Sequence, residues 1–226
     1  MNFDRIIYFD VCAVIILTII FFSMFFRKMT KGASNISFIV LTFVSILTAI
    51  TDLLCSLYLT VWPITQENYT FRYILHCLYF ILRNLSTPMY LVYIISISSS
   101  WYLFKKNIFR KLVLFVPFLV LVLLVVTNNY TNLIFIFDEN MLYQRGPGIG
   151  LLYLISGIYM LYGISYLVKY WKLLTRNQFI ALLCMFPINL AAIGIQLLAP
   201  SLLIEMFATS IALLVIVISI QAPEKL

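Results

Sequence analysis

Apolar residues run through this chain in long stretches of about the length that crosses a bilayer, roughly 20 residues as a helix, and the short polar intervals between them hold most of the charge. From the N-terminus the stretches predict helix 1 over about 6–26, helix 2 over 36–61, helix 3 over 71–104 and helix 4 over 112–127. Helix 5 is expected over 149–174, helix 6 over 179–198 and helix 7 over 201–221. The longest connection runs from Asn128 to Gly148. It places Phe135-Ile136-Phe137 and Tyr143 on either side of Asp138-Glu139-Asn140, a pattern that predicts a small β-hairpin. The expected fold is an all-α membrane protein, a single domain over 1–226 with seven transmembrane helices and a short β-hairpin between helices 4 and 5. No internal repeat is visible, which weakens transporter architectures built from duplicated halves.

Composition supports lipid as the solvent: 64% of residues are hydrophobic and 10% are charged, a balance that a water-soluble domain does not show. The net charge of +7 would suit nucleic acid, anionic lipid or membrane topology, and the placement of the bases decides among them. Arg27, Lys28 and Lys31 follow helix 1, Lys105, Lys106, Arg110 and Lys111 follow helix 3, and Lys169, Lys172 and Arg176 follow helix 5. The opposite ends carry only Arg5, Arg72 and Arg145. Short basic loops on one side mark the cytoplasmic face, so the N-terminus is expected outside, the C-terminus inside and the hairpin extracytoplasmic. The partner implied is the lipid bilayer and not nucleic acid. Asp4 and Asp10 flank Arg5 and no small-residue cleavage site precedes Arg27, so the first stretch is read as helix 1 and not as a signal peptide. Cys12, Cys55, Cys77 and Cys184 lie within apolar stretches without CxxC spacing, which suggests neither a disulfide framework nor a metal site.

Ionisable side chains inside spans are costly and therefore mark candidate functional positions. They are Asp52, His76, Arg83 and Glu205, with Asp10 nearer a helix end. At 1.5 Å per residue, Asp52 lies about 14 Å, Arg83 about 18 Å and Glu205 about 8 Å from the outer ends of their helices, depths that an arginine side chain bridges. His76 and Arg83 share a face of helix 3, with Asn84 beside them and Pro88 one turn later, and Asn189 and Gln196 share a face of helix 6 after Pro187. Helices 2, 3, 6 and 7 are therefore expected to present a polar pocket open to the outside. Its candidate ligand-binding residues are Asp52, His76, Arg83, Asn84, Asn189, Gln196 and Glu205. The other reading of the same residues is a packing bridge in which Asp52 or Glu205 neutralises Arg83. Asp138, Glu139, Asn140, Tyr143 and Arg145 of the hairpin are read either as a structural plug or as a ligand-facing lid. Helix 7 has no interior lysine, and no phosphate-binding glycine loop, HExxH or GxSxG motif occurs, so no catalytic residue and no cofactor are assigned.

Several stretches carry a resemblance. They are Leu78-Tyr79-Phe80-Ile81-Leu82-Arg83-Asn84-Leu85-Ser86-Thr87-Pro88, Phe137-Asp138-Glu139-Asn140 through Tyr143-Gln144-Arg145-Gly146-Pro147, Pro187-Ile188-Asn189 to Gln196, and Ser219-Ile220-Gln221-Ala222-Pro223-Glu224. With these the chain resembles the N-terminal seven-helix sensory region that precedes GGDEF diguanylate cyclase domains in Firmicutes and some histidine kinases. The resemblance implies an input module in a bacterial cell membrane, an unidentified small ligand, a cytoplasmic output domain in cis after residue 226 and a homodimer. It transfers no ligand-binding residue. The sequence itself holds no GGDEF motif. The alternative from another class is a small membrane transporter or channel, in which the buried charges would line a translocation route.

Overall fold

The computed structural model describes residues 4–27, 31–60, 68–98, 106, 108–138, 143–199 and 202–220. Within them, long helices α1 (Asp4–Phe26), α2 (Ala33–Thr60), α3 (Tyr69–Ile97) and α4 (Ile108–Val126) precede a short antiparallel strand pair, β1 (Phe135–Phe137) and β2 (Tyr143–Arg145). Helices α5 (Ile149–Lys169), α6 (Arg176–Leu198) and α7 (Glu205–Ser219) complete the order. Five of these, α1, α2, α3, α5 and α6, are long and apolar enough to cross a membrane, and α4 and α7 contribute shorter apolar stretches. Large apolar side chains such as Phe22, Ile74, Leu119, Leu123, Leu154 and Leu161 stand exposed on the outer faces of the bundle. In water such a surface would aggregate, whereas in lipid it is the solvent-matched one. The chain is a multi-pass, all-α membrane protein.

Several helix ends differ from the sequence expectation. α5 stops at Lys169 and not at 174, because the chain tightens into a 3₁₀ turn at Trp171–Leu173 and then extends at Leu174. That extension lets Thr175 cap α6, which starts at Arg176 and not at 179. The Gln178 N–H donates to Thr175 Oγ1 at 3.3 Å, and the Thr175 N–H donates to Gln178 Oε1 at 3.0 Å, a capping box that satisfies two otherwise orphaned donors. α7 begins at Glu205 and not at 201, and its first residue is held by an ion pair described below. α3 is helical to Ile97, where the Ser98 hydroxyl donates to the Ile95 carbonyl, and residues 99–104 of the expected span lie outside the described residues. α2 and α4 begin earlier than expected, at Ala33 and Ile108. Gly32, with φ of +94°, turns the chain into α2 in a conformation that side-chain-bearing residues avoid.

The helices pack as a ring: α3 lies against α2, α4 and α5, α7 lies against α1, α2 and α6, and α5 bridges to α4 and α6. Because lipid supplies no hydrogen bonds, polar side chains within the helices turn back on their own backbone. In α2 the hydroxyls of Thr42, Ser45, Thr48 and Thr51 each donate to a carbonyl one turn earlier, at 2.8–2.9 Å. This leaves a stripe of small, self-satisfied residues on the buried face. Pro117 interrupts α4, and the gap is filled from α5: the Tyr159 hydroxyl accepts from the Phe118 N–H at 3.0 Å and donates to the Leu114 carbonyl.

The strands are clamped to the helices by one amide and two glycines. The Asn128 side chain accepts from the Ile134 N–H at 2.7 Å and the Phe135 N–H at 3.3 Å, and donates to the Phe135 carbonyl at 2.9 Å. Gly146 passes so close to residue 133 that a Cβ there would lie 2.3 Å from the Leu133 carbonyl oxygen, and a Cβ on Gly148 would lie 2.3 Å from Leu133 Cγ. The strand register is Phe135 opposite Arg145 and Phe137 opposite Tyr143. Replacing Tyr159 with Phe removes the bridge at the α4 break and leaves two buried backbone groups unpaired. The expected loss is about 1–3 kcal/mol, read as a lower unfolding midpoint of the purified protein in detergent. An unchanged midpoint would show that the break is satisfied in another way.

Candidate functional site

Where α3, α5, α6 and α7 converge, the ring does not close, and a cavity of about 420 Å³ remains between them, a size typical of small-molecule pockets. Each helix contributes a distinct kind of wall. α3 supplies Arg83, Asn84, Thr87 and, one or two turns deeper, Leu91 and Ile94; α5 supplies Tyr153, Ser156, Gly157, Met160 and Gly163. α6 supplies Met185, Phe186, Asn189 and Leu190, and α7 supplies Glu205, Met206 and Thr209. Small residues on α5 make the space. Gly157 has no atom within 4 Å of where a Cβ would stand, and at Gly163 a Cβ would meet Phe186 at 3.1 Å.

The polar end of the cavity is an ion pair between α3 and α7. Arg83 Nε donates to Glu205 Oε1 at 3.1 Å and Nη2 donates to Oε2, the two-point geometry that suits guanidinium and carboxylate. The guanidinium carbon also lies 5.2 Å from the centre of the Tyr153 ring and 6.0 Å from that of Tyr79, so the cation is flanked by aromatic faces. Two amide bridges continue the polar line. The Ser156 hydroxyl donates to Asn84 Oδ1 at 3.0 Å, tying α5 to α3, and the Thr209 hydroxyl donates to Asn189 Oδ1 at 2.8 Å, tying α7 to α6. Both amide nitrogens donate to their own helix, Asn84 to the Phe80 carbonyl and Asn189 to the Met185 carbonyl. Ser86 and Thr87 add two hydroxyls, and most of the remaining wall is aliphatic, methionine and aromatic side chains.

The residues singled out in the sequence therefore divide. Arg83, Asn84, Asn189 and Glu205 come together at the cavity, and the arginine takes Glu205, not Asp52, as its partner. Asp52 does not line the cavity. It is buried beside the Tyr79 phenol within electrostatic reach of Arg83 and Glu205, and it is also within electrostatic reach of Asp10, whose two carboxyl oxygens are buried without a hydrogen bond among the described residues. Gln196 is buried away from the cavity with its Oε1 unpartnered. His76 lies toward the strand pair: its Nδ1 is 2.9 Å from the Arg72 carbonyl, so that nitrogen carries the proton, and its ring stacks on Tyr143 at 5.3 Å. Helix 2 was expected to form one wall of the pocket and helix 5 was not. The structure places α5 there instead. The signal was present in Ser156, Met160 and Gly163, which recur at i, i+4 and i+7 and put small or compliant side chains on one face.

Above α3 the strand pair forms an aromatic cap. Phe135 lies 5.2 Å from Tyr73, 5.7 Å from His76 and 5.6 Å from Phe80 between ring centres, and Phe137 meets His76 edge-on at 5.1 Å. Burial pushes the Tyr143 phenol up to about 12, so it stays a neutral ring against His76. Asp138 accepts from the Gln144 amide at 3.2 Å, Arg145 is exposed, and Glu139 and Asn140 lie outside the described residues. No residue of the strand pair lines the cavity.

Comparisons with protein families, with curated proteins and with solved structures give no match for this chain.

A buried pair is costly to break from one side and much less so to replace whole. Arg83→Met alone, or Glu205→Leu alone, is expected to lower stability by about 3–5 kcal/mol, and the double variant to recover most of that loss. Denaturation in mixed micelles of the four proteins forms the cycle; additive losses in the double variant would mean that the two residues do not act as a pair.

Proposed function

We propose that the chain is a sensory module of a bacterial cell membrane. Seven spans place the N-terminus and the strand pair outside, a small ligand occupies the cavity, and the signal leaves through α7 toward a cytoplasmic output domain of the diguanylate cyclase type, in a homodimer. One observation carries the reading. The cavity's polar end is closed by Arg83 and Glu205, and Glu205 is the first residue of α7, so whatever changes that pair also changes the helix that faces the output. Ligand binding signals only through different affinity for two arrangements, and a packed contact that either holds or releases a helix end supplies two arrangements. The charge pattern supports the orientation: Lys169, Lys172 and Arg176 surround the α5–α6 junction, as expected of a cytoplasmic loop. Proline breaks in α3, α4 and α6 at Pro88, Pro117 and Pro187 offer flexure points near the cavity.

A transporter reading finds one observation in its favour, the buried carboxyls of Asp10 and Asp52, since membrane-embedded acids serve as coupling-ion sites in transporters. The sensor reading is preferred because the charged residues of the cavity, Arg83 and Glu205, are paired with each other, and neither Asp10 nor Asp52 lines it.

Two experiments test the proposal. In a cysteine-free background, Tyr130→Cys is expected to react with a membrane-impermeant thiol reagent in intact cells, and Trp171→Cys only after permeabilisation; the reverse pattern would invert the topology. Fused in frame ahead of a GGDEF catalytic domain, the chain is expected to set cyclic di-GMP output, with Glu205→Gln changing it about fivefold or more and the lipid-facing Leu123→Ala leaving it alone. Solute flux in proteoliposomes, together with cyclase output indifferent to Glu205, would replace the sensor with a transporter.

A further inference from the structure

The nitrogen groups at the polar end of the cavity keep unused hydrogen-bonding capacity. Arg83 commits Nε and Nη2 to Glu205, and its Nη1 makes no hydrogen bond among the described residues. The amides of Asn84 and Asn189 have their oxygens occupied by Ser156 and Thr209, while each nitrogen gives one bond to its own helix and keeps a second N–H. Nitrogen donors of the lining thus keep unused capacity, and the guanidinium among them can only donate, which favours a ligand whose head is an acceptor. Most of the remaining wall is apolar and includes Met160, Met185 and Met206, side chains that adapt to a flexible apolar body. Along α3 the lining runs from Arg83 to Ile94, about 16 Å at the helical rise. Sideways the wall is thin, since Leu190 lines the cavity while 62% exposed and Gly157 has open space beside it.

From this geometry we infer that the cavity takes a single-chain monocarboxylate amphiphile from the lipid phase, and that its carboxylate displaces Glu205 from Arg83. The inference rests on the sensory reading of the cavity and names its ligand class and its switch. A carboxylate replacing a carboxylate preserves the two-point geometry at the guanidinium and leaves Arg83 neutralised throughout, and the proton that the uncharged acid carries in from the lipid passes to the released Glu205, so the exchange strands neither a buried cation nor a buried anion. Nη1 offers the incoming head a first hydrogen bond before the internal pair opens. Glu205, once released, no longer ties the start of α7 to the middle of α3, and the apolar tail lies against Met206 one residue further along α7. A cationic amphiphile would meet Arg83 at the polar end, and a neutral one would leave the ion pair in place.

The full chain in lipid nanodiscs, with Cys12→Ser to remove an exposed thiol and an environment-sensitive label at Ile218→Cys, an exposed position near the end of α7, provides the readout. Decanoate is expected to shift the label signal saturably, while methyl decanoate and decyltrimethylammonium do not. Glu205→Gln, which removes the internal competitor, is expected to lower the half-saturating decanoate concentration by about tenfold and to move the resting signal toward the liganded one. Arg83→Gln is expected to abolish the response, and Gly157→Phe to block it by filling the cavity. If the ester matches decanoate, or Glu205→Gln leaves both midpoint and resting signal unchanged, the exchange is overturned even where Gly157→Phe blocks every probe, and the cavity reading survives. If no probe acts saturably, or Gly157→Phe responds as the parent protein does, the cavity reading falls with it.

Discussion

A guanidinium and a carboxylate facing each other inside a lipid-embedded bundle impose a constraint that few other contacts match, because neither charge tolerates that environment alone. Arg83 and Glu205 lie far apart in the chain and are joined at two points. Satisfying them fixes how α7 stands against α3 and determines where α7 begins. It also brings α5 to the pair, since the Tyr153 ring of α5 and the Tyr79 ring of α3 flank the cation. The cavity is the space that this arrangement leaves when the residues opposite, Ser156, Gly157 and Gly163, are too small to fill it.

The remaining polar groups fall into two physical classes. The hydroxyls of Thr42, Ser45 and Thr48 in α2 serve their own helix, each donating one turn back, so they allow close packing. Those around the cavity bridge helices: Asn84 with Ser156, Asn189 with Thr209, Tyr159 across the break in α4, and Tyr90, whose hydroxyl donates to the Leu182 carbonyl at 2.5 Å shortly before Pro187. Bridging bonds in a low-dielectric interior resist small displacements and yield between discrete arrangements. Their concentration around one cavity makes that region the part of the bundle where occupancy and helix position are coupled.

The strand pair has a different task. Its aromatic face is committed to α3 through Tyr73, His76 and Phe80, and its ends are held by Asn128 and by the close passage of Gly146. His76, a membrane-embedded ionisable residue by sequence, is the hub of this cap and contacts no cavity group. Its buried, proton-donating Nδ1 is matched by the Arg72 carbonyl.

Composition and the spacing of apolar runs were enough to specify a helical membrane protein and the approximate place of every long helix, because crossing lipid forces each span to satisfy its own backbone and leaves a run of apolar residues as its mark. The strand pattern around Asp138 was legible for the same local reason, as turn residues between alternating aromatics. Arg83, Asn84, Asn189 and Glu205 could be nominated from burial cost alone. Which acid would take the arginine was not readable, since Asp52 and Glu205 lie at depths that the side chain reaches equally well, and the choice depends on how α2 and α7 are rotated in the ring. Nor was the role of α5 readable. A small residue marks a cavity only if the side chains facing it also leave room, and that is a property of four helices packed together and of none of them taken singly.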